Sequence, residues 1–558
     1  MSRICPRTLL RPIPTIPLWR IRCAPSGLCA LVWGLTALLC VCLGAVQLAS
    51  VPRQARYIDH IVNAGADPTL GTTTIPADRM VGGEFVSHLP LVVIDTGGQE
   101  IVSYKQYNPE TDAFEVPAGI DPYFSMTLSV YDSVDHCNRL SDPAGLVTTG
   151  RIKVRGNSSS FPSLPKFQYK LKLDEEESVM GIGTDDTWVL SPTVQDKSQL
   201  RNYLVYNIAG QIEPFTPDLR YCEVLFAREG GYYYGGLYRL CESVKVSPER
   251  VDIRKDATGY HVGSGYLLLR DRYSDSKIIL DTWGTRMGYN CRVDSTQGKR
   301  IPTYFSLEYP KNENATPEVI ASIEEEISEI EAILYSGDAA VLEQLDQWVD
   351  LNSFAEYMVI NEFFTNYDAG TNSTFLYKAP HGKLTAGPYW DYDGAVDNWN
   401  SALLDINAFA FPEYPWYNAL IRLETFERLV EKRYHELRKT ILSDEYLDTF
   451  IDGTLSYLGN ALAREESAYG DYTYLTDVLT EQTTGLTIDR RRETAAEEAR
   501  RVKDVLHLRG AYMDRNIAAL RDLVTFRGSS LATNTVLACV LIAVFLVSTL
   551  LARRRLTK

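Results

Sequence analysis

Apolar and polar residues alternate over a series of short stretches between residues 89 and 270, and apolar residues recur at three- and four-residue spacing through most of the chain after residue 317. The first pattern predicts strands and the second helices. Leu91-Val92-Val93-Ile94 runs into Asp95-Thr96-Gly97-Gly98, a strand entering a glycine turn. Further strands are predicted over 124–131, 150–155, 167–173, 187–190, 220–227, 232–240 and 265–270, with a hairpin turn at Glu229-Gly230-Gly231. One helix interrupts them. Asp196 can cap it, and Leu200, Leu204 and Ile208 share a face before Gly210. Beyond Pro317, helices are predicted over 317–336, 339–348 and 352–364, the last behind Asp350. A short hairpin over 374–378 and 383–386, turning at His381-Gly382, precedes a stretch from 416 to about 525 that is nearly all helical. Leu429, Tyr434, Leu437 and Ile441 mark a core face there, Ser443 a further cap, and 490–523 a long final helix.

The two ends follow a different pattern. Residues 28–49 are almost wholly apolar behind five arginines, and 535–552 are apolar ahead of Arg553-Arg554-Arg555 and Lys558. Each is expected to cross a membrane. The first fits a cleaved signal peptide or an anchor; its length and the lack of an Ala-x-Ala site favour an uncleaved signal anchor. The positive-inside rule then puts a basic N-terminus (1–27) and a basic tail (553–558) in the cytosol and the main domain outside the cell membrane, behind a polar linker over 50–85.

Charge sharpens this division. Residues 1–52 and 553–558 hold nine of the 56 basic residues and no acid, so the remainder sets 47 bases against 72 acids. So acidic a body argues against nucleic acid as a partner. Apolar content of 45% and charged content of 23% are those of a globular chain. Tyrosine, at 34 residues against 18 phenylalanines, suits polar clefts and wet interfaces. Of ten cysteines only Cys137, Cys222, Cys241 and Cys291 lie between the apolar ends, permitting two disulfides in any of three pairings. No spacing suggests zinc.

The chemistry concentrates between Asn366 and Asp397. Asp368 is followed by Asn372, and Trp390-Asp391-Tyr392-Asp393 by Asp397. Asp391 and Asp393, two apart on an extended segment, point the same way and can face one metal ion. Phosphoryl transfer needs a carboxylate to orient the attacking hydroxyl and oxygen ligands for magnesium, and this segment offers both. A calcium site, or loop aspartates in Asx turns, would use the same residues. Upstream, Arg155-Gly156-Asn157-Ser158-Ser159-Ser160 is a Gly/Ser loop able to cradle phosphates, and the strand that returns from it carries Lys166, Lys170 and Lys172, the last two on one face. Gly235-Gly236-Leu237-Tyr238-Arg239-Leu240-Cys241-Glu242 ends a strand in a carboxylate placed for a ribose or purine contact or for plain solvent exposure. Arg201 and Asn202 are expected to buttress the Gly/Ser loop.

Taken in order, the Leu-Pro-Leu-Val-Val-Ile-Asp-Thr strand, Arg-Gly-Asn-Ser-Ser, Pro-Lys-x-x-Tyr-x-Leu-Lys-Leu, Asp-x-Ser-x-Leu-Arg-Asn, Gly-Gly-Leu-Tyr-x-Leu-x-Glu, Asn-Glu-x3-Asn-x-Asp and Trp-Asp-Tyr-Asp resemble the spore coat protein H family of atypical kinases (CotH kinases) over about residues 88–525. The resemblance implies an ATP- and Mg2+ (or Mn2+)-dependent protein kinase acting on Ser or Thr of a protein substrate. It fits an α+β fold of the atypical protein-kinase-like, two-lobed kind, with a sheet-rich lobe at 86–310, a helical lobe at 311–528 and a transmembrane helix on each side. Position by position it implies Asp391 as the magnesium-binding aspartate, Asp368 as the catalytic-loop aspartate, Lys172 as the ATP lysine with Lys166 its rival, and Glu242 as the family's glutamate after the Gly-x-Tyr strand. Arg155, Asn157 and Ser158 would line the nucleotide, and Asp393 and Asn372 would assist with the metal. A surface-displayed binding or adhesion protein that keeps the fold, and another ATP-dependent transferase on it, stay open as alternatives.

Overall fold

In the computed structural model the described residues are 56–523, except 109–112, 157–159, 161, 163, 193–195, 254–259, 275, 294–299, 399–403, 472–477, 481–484, 486 and 490–491. The chain divides into two units, 1–55 and 56–558, of which the first lies wholly outside the described residues.

Seven strands build the first layer. Strands β1 (Leu91–Asp95), β2 (Phe124–Tyr131), β3 (Leu146–Val154), β4 (Tyr169–Ser178), β5 (Thr184–Pro192), β6 (Leu219–Arg228) and β7 (Gly231–Glu242) each send every second residue inward. Val92, Leu128, Ile152, Leu171, Trp188, Val224 and Leu240 meet in one buried cluster. The strands run β7-β5-β4-β3-β2-β1-β6, and β6 pairs again with β7, which closes a seven-stranded barrel. All pairings are antiparallel except β1 with β6. Closure leaves no free edge and fills the interior with side chains.

A bulge lies in β7 where the register against β6 shifts between Val224 and Leu225. Gly236 there has φ +105°, and a Cβ on it would lie 2.5 Å from Glu465 Oε2 and 2.7 Å from Lys166 Nζ. The Gly-Gly pair therefore admits a buried ion pair against the strand. Gly236→Ala is expected to lower stability by about 1–3 kcal/mol, read as a shift in the urea midpoint.

The second layer is helical, with a small sheet against it. Helix α1 (Arg201–Ala209) is wholly buried between the barrel and this layer. Strands β8 (Tyr266–Asp271), β9 (Ile278–Ile279), β10 (Tyr304–Tyr309), β11 (Thr374–Lys378) and β12 (Thr385–Ala386) form a sheet in the order β9-β10-β8-β11-β12. Helices α2 (Pro317–Leu334), α3 (Leu351–Phe363), α4 (Glu424–Arg438), α5 (Asp444–Tyr469) and α6 (Ala495–Asn516) surround it. Their caps follow the sequence: Thr316 with Pro317, Asp350, Ser443, and a Thr494/Glu497 capping box. Residues 56–63 pack against barrel and helix: buried Asp59 accepts from the Tyr221 amide at 3.0 Å and from Arg220 Nε at 3.2 Å.

Three expectations are corrected. The fold is not the two-lobed, kinase-like arrangement with an antiparallel-sheet-rich N-lobe and a helical C-lobe; the first sheet closes on itself, and the second joins β8 and β10 to β11 from beyond residue 311. The two flanking transmembrane helices, and the cell-membrane location with both termini cytosolic that was drawn from them, are not upheld: among the described residues no helix is long and apolar enough to cross a membrane. Residues 28–49 and 535–552 lie outside the described residues. Neither of the two permitted disulfides is formed: among the described residues Cys137, Cys222, Cys241 and Cys291 are free.

Candidate active site

The loop from Asp391 to Asp397 crosses the junction of barrel, small sheet and helices, and it is held in an uncommon conformation. Asp391, Val396 and Asp397 have φ of +70°, +52° and +56°, and the facing residues Thr365 and Ser373 both have +47°. Left-handed conformations in non-glycine residues, a β-branched valine among them, persist only where the surroundings over-determine them. Here they do. Tyr206 of α1 accepts from the Asp391 amide at 3.0 Å, and Asn202 accepts from the Tyr392 amide at 2.6 Å. Arg201 donates to the carbonyls of Ala395 (2.8 Å) and Val396 (3.0 Å), and Arg501 of α6 to that of Asp397 (2.7 Å). Arg201 and Asn202 thus brace the aspartate loop rather than the Gly/Ser loop.

Asp391 and Asp393 are half-buried and close enough for the charge of Asp391 to act on Asp393. Burial, and then the nearby Asp368 charge, push Asp391 above the usual carboxylate range, opposed by a hydrogen bond from Ser373 Oγ at 2.8 Å. Burial and the Asp391 charge push Asp393 further up. Asp271, at the end of β8, faces the same place; burial raises it, and its charge acts on Asp391. Asp368 is oriented by Asn372, whose Nδ2 donates to Oδ1 at 2.9 Å, and by the Asn366 side chain, which accepts from its amide at 3.3 Å. Among the described residues no three His, Cys, Asp or Glu side chains converge closely enough to enclose a metal by themselves. Two adjacent carboxylates completed by phosphate oxygens and water are nevertheless the donor set magnesium takes in nucleotide sites, so the residues fit the ion.

Basic groups gather on the outer wall of β3 and β4 next to this loop. Lys153 and Lys170 are directly opposed across the two strands, as are Arg151 and Lys172. Arg155 lies 5.3 Å from the Trp390 ring centroid and feels the Asp391 charge, which places it beside the aspartates. Lys170 is pushed down to about 8 by burial and by Arg155, Lys153 and Lys311, and Lys105, bonded to the Gly156 carbonyl, to about 8 by burial, Arg155 and Lys153. Like charges opposed across a ladder destabilise it unless an anion comes between.

The other predicted residues fall elsewhere. Lys172 shares the face of Lys170, but its half-exposed ammonium pairs with Asp186. Lys166 is buried in an ion pair with Glu465 at 2.7 Å and donates to the Leu237 carbonyl at 2.8 Å, between the rings of Tyr238 and Tyr469. Glu242 is buried, ion-paired with Arg250, and accepts from the Asp218 amide at 2.8 Å. Asn157 and Ser158 lie outside the described residues. Sequence reasoning missed Asp271, Ser373, Tyr206 and Arg292, none of which stands in a motif. A carboxylate closing a β-branched or leucine-rich strand, as in Tyr266-Leu267-Leu268-Leu269-Arg270-Asp271, was the one available signal.

A closed barrel thus joins a helical layer, with two half-buried aspartates and Arg155 of the basic strand pair meeting at the join. The family described as CotH kinase protein matches residues 152–513, well over half of the chain, and the chain belongs to that family. The match takes in Arg155, Lys170, Asp368, Asp391 and Asp393. No curated protein matches the chain.

Proposed function

We propose that this protein transfers the γ-phosphoryl group of ATP to Ser or Thr hydroxyls of a protein, in the presence of Mg2+ or Mn2+. The observation that carries the reading is two half-buried neighbouring carboxylates, Asp391 and Asp393, with opposed lysines and Arg155 beside them, within a CotH kinase family domain. A divalent ion, when bound, would neutralise phosphate charge. Asp391 and Asp393, with the amide oxygen of Asn372, are the residues that would hold it. Lys170 and Arg155 would meet the phosphates, with Lys172 and Lys105 at the edge. Asp368, fixed by Asn372, would orient the acceptor hydroxyl and take its proton.

The full chain incubated with γ-labelled ATP, Mg2+ or Mn2+ and a dephosphorylated casein is expected to label casein or itself on Ser or Thr, and Asp368→Ala and Asp391→Ala to stop it. Absence of label together with no ATP-dependent rise in melting temperature with either ion would overturn the reading.

A pH dependence follows from the lysines. In the free protein Lys170 and Lys105 lose their protons near pH 8. Bound triphosphate raises their pKa, so affinity is full below about 8 and falls as pH rises through that value. Calorimetry at pH 8.5 in two buffers of different ionisation enthalpy is expected to show proton uptake on ATP binding, and Lys170→Met to reduce it.

A further inference from the structure

Arg292 stands beside Asp368 with one buried donor atom unsatisfied among the described residues. It lies on the strand Cys291–Val293, paired with Arg300–Pro302. Its guanidinium sits 4.3 Å from the Tyr367 ring centroid, and its side chain is 9% exposed. Nη1 is buried and has no hydrogen-bond acceptor among the described residues. The nearest carboxylate oxygen is Asp368 Oδ1 at 3.6 Å, an attraction but not a hydrogen bond. Arg464 closes on Glu223 and Arg509 on Glu362, both at 2.6 Å, whereas Arg239 and Arg250, like Arg292, leave a buried nitrogen unpaired among the described residues; of these three only Arg292 stands beside Asp368. Leaving a buried guanidinium donor unmade is unfavourable unless something else arrives to take it.

Resting on the kinase reading above, we propose that Arg292 is a catalytic residue that donates from Nη1 to the phosphoryl group in transit between ATP and the acceptor. The distances fit a closed quadrilateral. An acceptor oxygen about 2.7 Å from Asp368, a phosphoryl oxygen within about 3 Å of that acceptor, and Nη1 about 2.8 Å from the phosphoryl oxygen close over the 3.6 Å between Nη1 and Oδ1. Charge points the same way. In the step itself the bond from the γ-phosphorus to the ADP oxygen breaks and a bond to the acceptor oxygen forms, while the acceptor proton passes to Asp368. Negative charge is spread over the equatorial phosphoryl oxygens during transfer, and a guanidinium beside Asp368 offsets it. Stacking on Tyr367 holds the guanidinium in place, so little reorganisation is needed.

The test uses the full chain with labelled ATP, Mg2+ and dephosphorylated casein. Arg292→Gln and Arg292→Ala are expected to lower kcat by roughly 10²- to 10³-fold, leaving the ATP-induced melting shift and KM for ATP within about twofold of the parent. Methylguanidinium is expected to restore part of the activity of Arg292→Ala and none to Asp391→Ala, a response a merely structural role would not give. Parent-like kcat in Arg292→Gln, with Asp391→Ala inactive, overturns the role of Arg292 and leaves the kinase reading intact. A raised KM for casein with unchanged kcat also overturns it, since Arg292 would then read the acceptor. A parent chain that transfers nothing removes both.

Discussion

Asp391→Asn is expected to abolish phosphoryl transfer and, at neutral pH, to leave the free protein as stable as the parent or more so. The two effects have one cause. Asp391 and Asp393 are both raised above the usual carboxylate range, by desolvation first and then by charge, that of Asp368 on Asp391 and that of Asp391 on Asp393. A carboxyl group whose pKa is raised by folding stabilises the folded state at low pH, and that contribution is lost as pH rises through its folded value. At pH 7 the pair therefore works against folding, and a neutral amide at 391 relieves it. The same substitution removes a charged oxygen from the pair that would hold the cation. Loss of such a ligand costs about 4 kcal/mol of transition-state stabilisation, or ~10³-fold in rate. Single-turnover transfer and melting curves with and without Mg-ATP check both halves: activity and the Mg-dependent shift should vanish while the unliganded melting temperature holds or rises. A variant that melts well below the parent without ligand would show that Asp391 serves the fold.

Glu498→Ala is expected to have the opposite signature, a large loss of stability that reaches the site second-hand. Glu498 is buried in α6, accepting from Arg501 at 2.5 Å and pairing with Arg201 at 3.1 Å. Arg201 in turn binds Asp196 at 2.6 Å, and Arg501 binds Asp397 Oδ2 at 3.2 Å. All four ion pairs have side chains at most 1% exposed. Removing one acid leaves two buried guanidinium groups under-compensated, which costs about 3–5 kcal/mol. Since Arg201 and Arg501 also hold the carbonyls of Ala395, Val396 and Asp397, the left-handed turn after Asp393 should loosen as well. A lowered urea midpoint, with faster amide exchange over 391–398, checks it. An unchanged midpoint would mean the network contributes specificity without net stability.

Much of the local architecture was legible because it rests on short-range physics. The strand over Phe124–Tyr131 forms as read from its alternation, and the Glu229-Gly230-Gly231 turn joins β6 to β7. Asp350 and Ser443 cap their helices. What was not legible depends on partners far away in the chain. Barrel closure turns on a parallel pairing of β1 with β6, Leu91 opposite Glu223, and nothing in either strand's pattern names the other. Lys170 and Lys172 look equivalent on one face of one strand; only the neighbours differ, with Asp186 taking Lys172 and the Arg155 side of the wall taking Lys170. Lys166 reads as a nucleotide ligand until Glu465, almost three hundred residues on, is found against it.

By itself, then, the sequence determined many of the elements, the caps at Asp350 and Ser443, the candidate acids from Asp368 to Asp397 and the family to which they belong, because periodicity, capping and short motifs act within a few residues. It did not show that Asp196 leaves the cap of its helix to Leu200, or that two short strands interrupt the helices after 416. Tertiary structure alone decided that the sheet closes, that Arg201 and Asn202 brace the aspartate loop, that Asp271 joins it, and which lysine stands beside it. It also brought Arg292 to Asp368. The physical reason is common to all of these: burial and electrostatic partnership depend on distance in space, and between residues tens or hundreds of positions apart that distance is set by packing.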